Sequence, residues 1–280
     1  MKPLMNVARR RAAHLLAALV AAMLIVPAAR AADRADIHDF LEVTGFDVAL
    51  ASIGDGVEDA PLMLGMSNED FGPGWTAAVS DLYTDEVLQD LAVDMLEPTL
   101  SDDMLDHAKA FYGSALGERL VEVENAAHVA EDTEAEKVMG QRLLAEAGSE
   151  RREILERMSD AIDPESISVL AIEEIQVRFL MAASRSGVVE TPLDERALRA
   201  LMAAERESLR KEMARAGLVG AAYTYRDFDN DDLAAYVRAL ETPRMQRVYE
   251  LLNAVQFEIT ANRLEQLAWR LADLKKGQDI

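Results

Sequence analysis

"DDMLDHAKAFYGSALGERLVEVENA", residues 102–126, returns 128 residues later as "NDDLAAYVRALETPRMQRVYELLNA", residues 230–254. The copies align without a gap, pairing Asp103 with Asp231, Leu105 with Leu233, Arg119 with Arg247, Glu122 with Glu250 and Asn125 with Asn253. Ser101-Asp102-Asp103 and Asp229-Asn230-Asp231-Asp232 stand where a helix begins. Their oxygens can accept from first-turn N–H groups, and their charge suits the positive end of the helix dipole. A short break follows, "YGSALG" in one copy and "LETPRM" in the other, and then a second apolar-periodic run. Each copy therefore reads as a capped helical hairpin. Its apolar residues, such as Leu105, Phe111 and Leu120 or Leu233, Tyr236 and Val248, need a surface to pack on.

The rest of the chain follows the same period. From Pro243, Met245, Val248, Tyr249, Leu252, Val255 and Ile259 recur at three- and four-residue steps, one stripe of a long helix that Thr242 can cap. "TPLDE" at Thr191 opens another predicted helix, which Gly217 should close, with Glu195/Arg199 and Glu207/Lys211 as acid-before-base pairs four apart. Further helices are expected at 35–44, 46–62, 73–83, 85–97, 102–112, 116–131, 133–147, 149–162, 165–185 and 230–240. A fainter echo pairs "IHDFLEVTGFDVALASI" from Ile37 with "ILERMSDAIDPESISVL" from Ile154. The expected fold is all-α, built of two degenerate repeats. The expected divisions are a leader at 1–31, a first repeat at 32–131, a connecting helical segment at 132–150 and a second repeat at 151–280.

The leader reads as a secretory signal. Lys2, Arg9, Arg10 and Arg11 precede the apolar run "LLAALVAAMLIVPAA", and Ala29 and Ala31 satisfy the small-residue rule for cleavage before Ala32. That run is shorter than the about 20 apolar residues a spanning helix needs. The expected product is a soluble periplasmic protein beginning at Ala32, with no stable membrane insertion. The chain has no cysteine, so no disulfide and no lipid-modified thiol is possible. The formal charge is −22, and the leader holds five basic residues and no acidic one, which leaves −27 after cleavage. Such a surface opposes nucleic acid and anionic lipid, both of which are bound chiefly through Lys and Arg. It favours dispersion in water.

The first copy resembles a known family. Trp75, Tyr83, Leu88, the stretch Leu100 to Leu105, and Phe111-Tyr112-Gly113-Ser114 through Gly117 make up an acidic helix start, an aromatic pair, a small-residue turn and a glycine. This pattern, over residues 75–125, resembles the DUF2059 family of exported all-helical bacterial proteins. The resemblance implies an exported helical protein, and no activity, cofactor or catalytic residue. The second copy departs from the pattern, with Ala239-Leu240 for the aromatic pair and Met245 for Gly117.

Few constellations carry chemistry. Asp103 with His107 and Glu124 with His128 each share a helix face, and a hairpin closing near Gly113 would bring Asp103 towards Glu124 as a conceivable divalent-metal site. The second copy has Ala235 and Gln256 in place of the histidines, so a solvated face accounts for them and no metal is assigned. "DFDNDD" at 227–232 lacks the glycine and the bidentate acid of a calcium loop and reads as a helix cap. "GSALG" around Ser114 is not a nucleophile elbow, and no phosphate-cradling loop appears. The expectation is a non-catalytic protein without cofactor, with a structural or binding role towards an envelope protein or a small ligand. The alternatives are a metal-assisted enzyme using Asp103, His107, Glu124 and His128, and a carrier with an apolar pocket between the repeats.

Overall fold

A computed structural model describes residues 32–71, 74–130, 133–189 and 192–278. The signal peptide expected at 1–31 lies outside the described residues. The fold is all-α, with no β-strand among the described residues. Helices α1 (Arg34–Thr44) and α2 (Phe46–Ala51) meet at Gly45, whose φ of 72° is the left-handed conformation glycine adopts without penalty. Helices α3 (Gly74–Leu82), α4 (Asp85–Leu96), α5 (Asp102–Tyr112), α6 (Ala115–His128), α7 (Thr133–Glu146) and α8 (Ser149–Ile162) follow. The chain ends in α9 (Ile167–Ser186), α10 (Glu195–Thr224), α11 (Asn230–Leu240) and α12 (Pro243–Gln278).

Two segments differ from the sequence reading. The helix expected at 46–62 gives way at Ser52 to a 3-10 stretch through Leu64. Gly54 and Gly56 weaken the α-helix there, and Pro61 removes a donor, before Gly65 ends the segment at φ 71°. The helix expected to close at Gly217 instead starts at Glu195, capped by Asp194, and runs through Gly217 and Gly220 to Thr224. Glycine in a helix costs about 1 kcal/mol. Burial of Val219 and Ala222 against the neighbouring helices outweighs that cost.

The long C-terminal helix organises the core. One face of α12 packs along α9, and it also meets α3, α4 and α5. Leu251, Val255, Ile259, Leu267 and Leu271 are buried along it, within one hydrophobic cluster that includes Phe40, Leu88 and Leu105. Helix α10 lies on α7 and α8, and α11 lies mainly on α8. At the α7–α10 crossing, a Cβ on Gly140 would come 2.3 Å from the Val219 carbonyl, so only glycine lets these backbones approach. No helix among the described residues is long and apolar enough to cross a membrane.

The echoed stretches share local structure. Helices α5 and α11 are both 11 residues long, and Ser101 and Asp229, at equivalent positions, each accept from the backbone N–H three residues on. Asp231 lies inside the first turn of α11 and does not cap. Asp229→Ala should therefore cost about 0.5–2 kcal/mol in thermal unfolding. Asp231→Ala should cost far less, and equal losses would show that charge rather than capping matters.

Candidate functional site

Four of the six tyrosines in the chain join one hydrogen-bonded cluster that ends on a carboxylate. Glu124, on α6, accepts hydrogen bonds at Oε1 from Tyr225 Oη at 2.6 Å and Tyr236 Oη at 2.9 Å. Tyr249 Oη lies 3.1 Å from Tyr236 Oη and 2.5 Å from Tyr112 Oη, which is itself 3.3 Å from Tyr236 Oη. The rings pack as well as the hydroxyls. Phe111 stacks on Tyr236 at 5.7 Å, while Tyr112 and Tyr225 meet Tyr236 edge-on. Such pairs contribute about 0.5–1.5 kcal/mol each beyond area burial.

Five elements deliver these side chains. Tyr112 ends α5, Tyr236 sits mid-α11, and Tyr249 lies in the second turn of α12. Tyr225 is the C-cap of α10, an irregular position that needs support. Arg151 of α8 supplies it by donating to the Tyr225 carbonyl at 2.6 Å and the Phe228 carbonyl at 2.8 Å. Arg119 of α6 pairs with Asp232 at 3.0 Å and lies 4.7 Å from the centre of the Phe228 ring, tying α6 to the same corner.

Burial sets the electrostatics. Removal from water raises the pKa of the Glu124 carboxyl, and the Tyr225 and Tyr236 hydroxyls partly offset this by stabilising the charged form. The same desolvation, with Glu124 close by, holds the phenol pKa values of Tyr225 and Tyr236 well above their ordinary range. Burial lowers the pKa of His128, which favours its neutral form. A carboxyl whose pKa is raised on folding adds stability below its unfolded pKa, and that contribution is lost as pH rises through the folded value. Glu124→Gln removes the titration. Wild type should therefore lose stability relative to the variant as pH is raised from 4 towards 8. Urea unfolding of both across that range checks it, and the opposite slope would mean that the tyrosine donors outweigh burial.

The cluster borders open space. One cavity of about 260 Å³ is lined by the four tyrosines, Glu124, His128, Asn125, Asn253 and Gln256, together with Thr44, Gly45, Phe46 and Ala49. A second, of about 550 Å³, shares Glu124, His128, Ile162, Tyr225 and Asn253 and continues between α8, α9 and α10. Ser166, at φ 54°, lines it in a conformation non-glycine residues seldom adopt. Together the cavities form a cleft with Glu124 and His128 at its waist.

The four metal candidates are not gathered. Glu124 and His128 share the cleft wall, but Asp103 is exposed and pairs with Arg244 at 2.6 Å. His107 Nε2 lies within hydrogen-bond distance of Thr242 Oγ1, at 3.1 Å, and Thr242 Oγ1 also contacts the Ala239 carbonyl at 2.8 Å. Closure near Gly113 does not bring Asp103 and Glu124 into one set, because Asp103 faces solvent and Glu124 faces the core. Among the described residues, no three His, Cys, Asp or Glu side chains are grouped so that they could hold a metal ion.

Sequence reading places Tyr236 and Tyr249 on apolar faces and Tyr112 in an aromatic pair. It misses their hydroxyls and misses Tyr225 altogether. Four phenols on faces that otherwise carry Leu, Val and Ala was the available signal, since a buried Tyr hydroxyl needs a partner. The echo gave no help. Positions equivalent to Tyr112, Glu124, Tyr236 and Tyr249 hold Leu240, Leu252, Ala108 and Val121, so the cluster occurs once.

No curated protein and no solved structure matches the chain. Residues 86–146, from α4 through α7 and including Glu124 and His128, match the DUF2059 family, described as an uncharacterized protein conserved in bacteria, the family that the pattern over residues 75–125 resembles.

Proposed function

We propose that this is an exported protein of the bacterial cell envelope that acts by binding, holding a small ligand in the cleft at Glu124 without catalysing its conversion. The observation that carries this reading is a partly enclosed cavity lined by aromatic walls and a few convergent polar groups, the ordinary make-up of a ligand site. The two echoed stretches are read as related units of one scaffold, in which matching caps set the helices. Tyr112, Glu124, Tyr236 and Tyr249, whose counterparts in the other copy are Leu240, Leu252, Ala108 and Val121, supply much of the site, and Tyr225 joins them from outside both copies. A metal-assisted enzyme has less support, because Asp103 and His107 sit apart from Glu124 and His128.

Export supplies one test. Protein made in a Gram-negative host should be recovered from the periplasm with Ala32 as its first residue by N-terminal sequencing. A full-length chain in the membrane fraction would overturn cleavage before Ala32. Binding supplies the other, through thermal unfolding against a library sorted into ammonium, neutral and carboxylate compounds. A ligand that binds only the native state at about 100 times its Kd should add about 2.7 kcal/mol. Gln256→Trp places a large ring in the cavity that Gln256 lines, and should abolish the shift. Equal shifts in both proteins, or none in either, would remove the cleft as the binding site.

A further inference from the structure

The hydrogen-bond directions in the tyrosine cluster restrict what the cleft can hold. Each phenol has one hydrogen to donate. Tyr225 and Tyr236 give theirs to Glu124 Oε1. Tyr236 therefore receives in its contacts with Tyr112 and Tyr249, and of those two hydroxyls one donates to the other while the other donates to Tyr236. All four hydrogens are consumed inside the cluster, and Glu124 is where the chain ends. Among the described residues, none donates a hydrogen bond to Glu124 Oε2. What this wall offers a ligand is acceptors: the second carboxylate oxygen and phenol lone pairs.

The charges agree. Among the described residues, no Lys or Arg lines the smaller cavity. The larger one carries, among the described residues, Glu124, Asp160 and Asp163 against one Lys or Arg, Arg210, which is paired with Glu207 at 2.8 Å. His128, held towards neutrality by burial, adds no opposing charge. The side-chain amides of Asn125, Asn253 and Gln256 serve as donor or acceptor alike, and Asn253 already donates to the Ile162 carbonyl at 2.9 Å. A protein of formal charge −22 also draws cations towards itself.

Building on the binding function proposed above, we infer that the cleft takes a small organic cation, an alkyl- or arylalkylammonium. Its N–H groups would donate to Glu124 Oε2, and its carbon skeleton would lie against the tyrosine rings. A charge-assisted hydrogen bond to a desolvated carboxylate is about twice as strong as a neutral one. A ring face adds attraction for the cation. A carboxylate ligand meets Glu124 with like charge and finds no phenol hydrogen to accept.

The test is calorimetric titration of the full mature protein at pH 7.5 with methylammonium, n-butylammonium and benzylammonium. Benzyl alcohol and benzoate serve as the neutral and anionic counterparts of the last. At least one ammonium should bind, with benzyl alcohol weaker than benzylammonium by about tenfold or more and benzoate giving no heat. Glu124→Gln keeps the shape and removes the charge, and should weaken ammonium binding by about tenfold while leaving benzyl alcohol unchanged. Glu241→Gln makes the same change of net charge on the surface, where Glu241 pairs with Arg157, and should leave all titrations as they are. Benzyl alcohol or benzoate binding as tightly as benzylammonium would overturn the cation and leave the cleft standing as a binding site. So would an ammonium affinity indifferent to Glu124→Gln. No binding by any ammonium, alongside a neutral or anionic compound that stabilises the protein, would do the same.

Discussion

Tyr236→Ala should lower the stability of the protein by about 3–5 kcal/mol, the range for removing a large aromatic side chain from a packed core. Tyr236 is fully buried and is the hub of the cluster. Its ring stacks on Phe111 and lies edge-to-face with Tyr112 and Tyr225, and its hydroxyl donates to Glu124. Truncation opens a cavity and also leaves the buried carboxylate with one donor fewer. Tyr236→Phe separates the two effects, because it keeps the ring and removes the hydroxyl. Its loss should be about 1–3 kcal/mol, the range for a buried hydrogen bond to a charged group. Urea unfolding of the three proteins decides between them. If Phe costs as much as Ala, the polar network rather than ring packing holds this corner together. If Ala costs less than about 1 kcal/mol, the corner is loosely packed and the cluster is not a structural core.

Gly117→Ala should cost about 1–3 kcal/mol through overpacking, although alanine is the better helix former. Propensity alone would favour alanine by about 1 kcal/mol. Against it, a Cβ at Gly117 would stand 2.3 Å from the Phe111 carbonyl oxygen and 2.5 Å from Tyr112 Cα. These are backbone atoms at the end of α5, and they can yield only if the α5–α6 turn opens. Opening it moves Tyr112 away from Tyr249 and displaces Glu124 further along α6. Gly220→Ala is the control. It lies within α10 with nothing within 4 Å of the added carbon, so it should gain up to about 1 kcal/mol. Thermal unfolding of both variants gives the answer as a difference in sign. A Gly117→Ala protein as stable as wild type would show that the turn has slack.

Gly117 also marks a place where the two echoed stretches do not pack alike. In the first, glycine allows α5 and α6 to approach backbone to backbone. In the second, Met245 holds the equivalent place, buried, and α11 lies mainly on α8 instead. Glycine against methionine is one of the differences that accompany these arrangements. The aligned sequences record the difference without saying which way either pair of helices turns.

The sequence by itself determined the helices, because apolar spacing and capping act within a few residues of each other. Ser101, Thr84 and Asp229 cap where a hydroxyl or carboxylate precedes a periodic run, and Thr242 bonds the Met245 N–H as Pro243 begins α12. The pairs Glu195–Arg199 and Glu207–Lys211 form for the same local reason. Where the reading failed, at Ser52 and Gly217, local preference was opposed by Pro61 in one case and by distant packing partners in the other. Only the tertiary structure decided the site. Glu124 meets Tyr225 and Tyr236 from 101 and 112 residues away, and Tyr112 meets Tyr249 across 137. On its own helix each of these tyrosines is one more buried aromatic, indistinguishable by period from Leu or Val. A hydroxyl's partner is fixed by how helices cross, and the crossings follow from close approaches such as those at Gly117 and Gly140, which no pattern of apolar residues encodes.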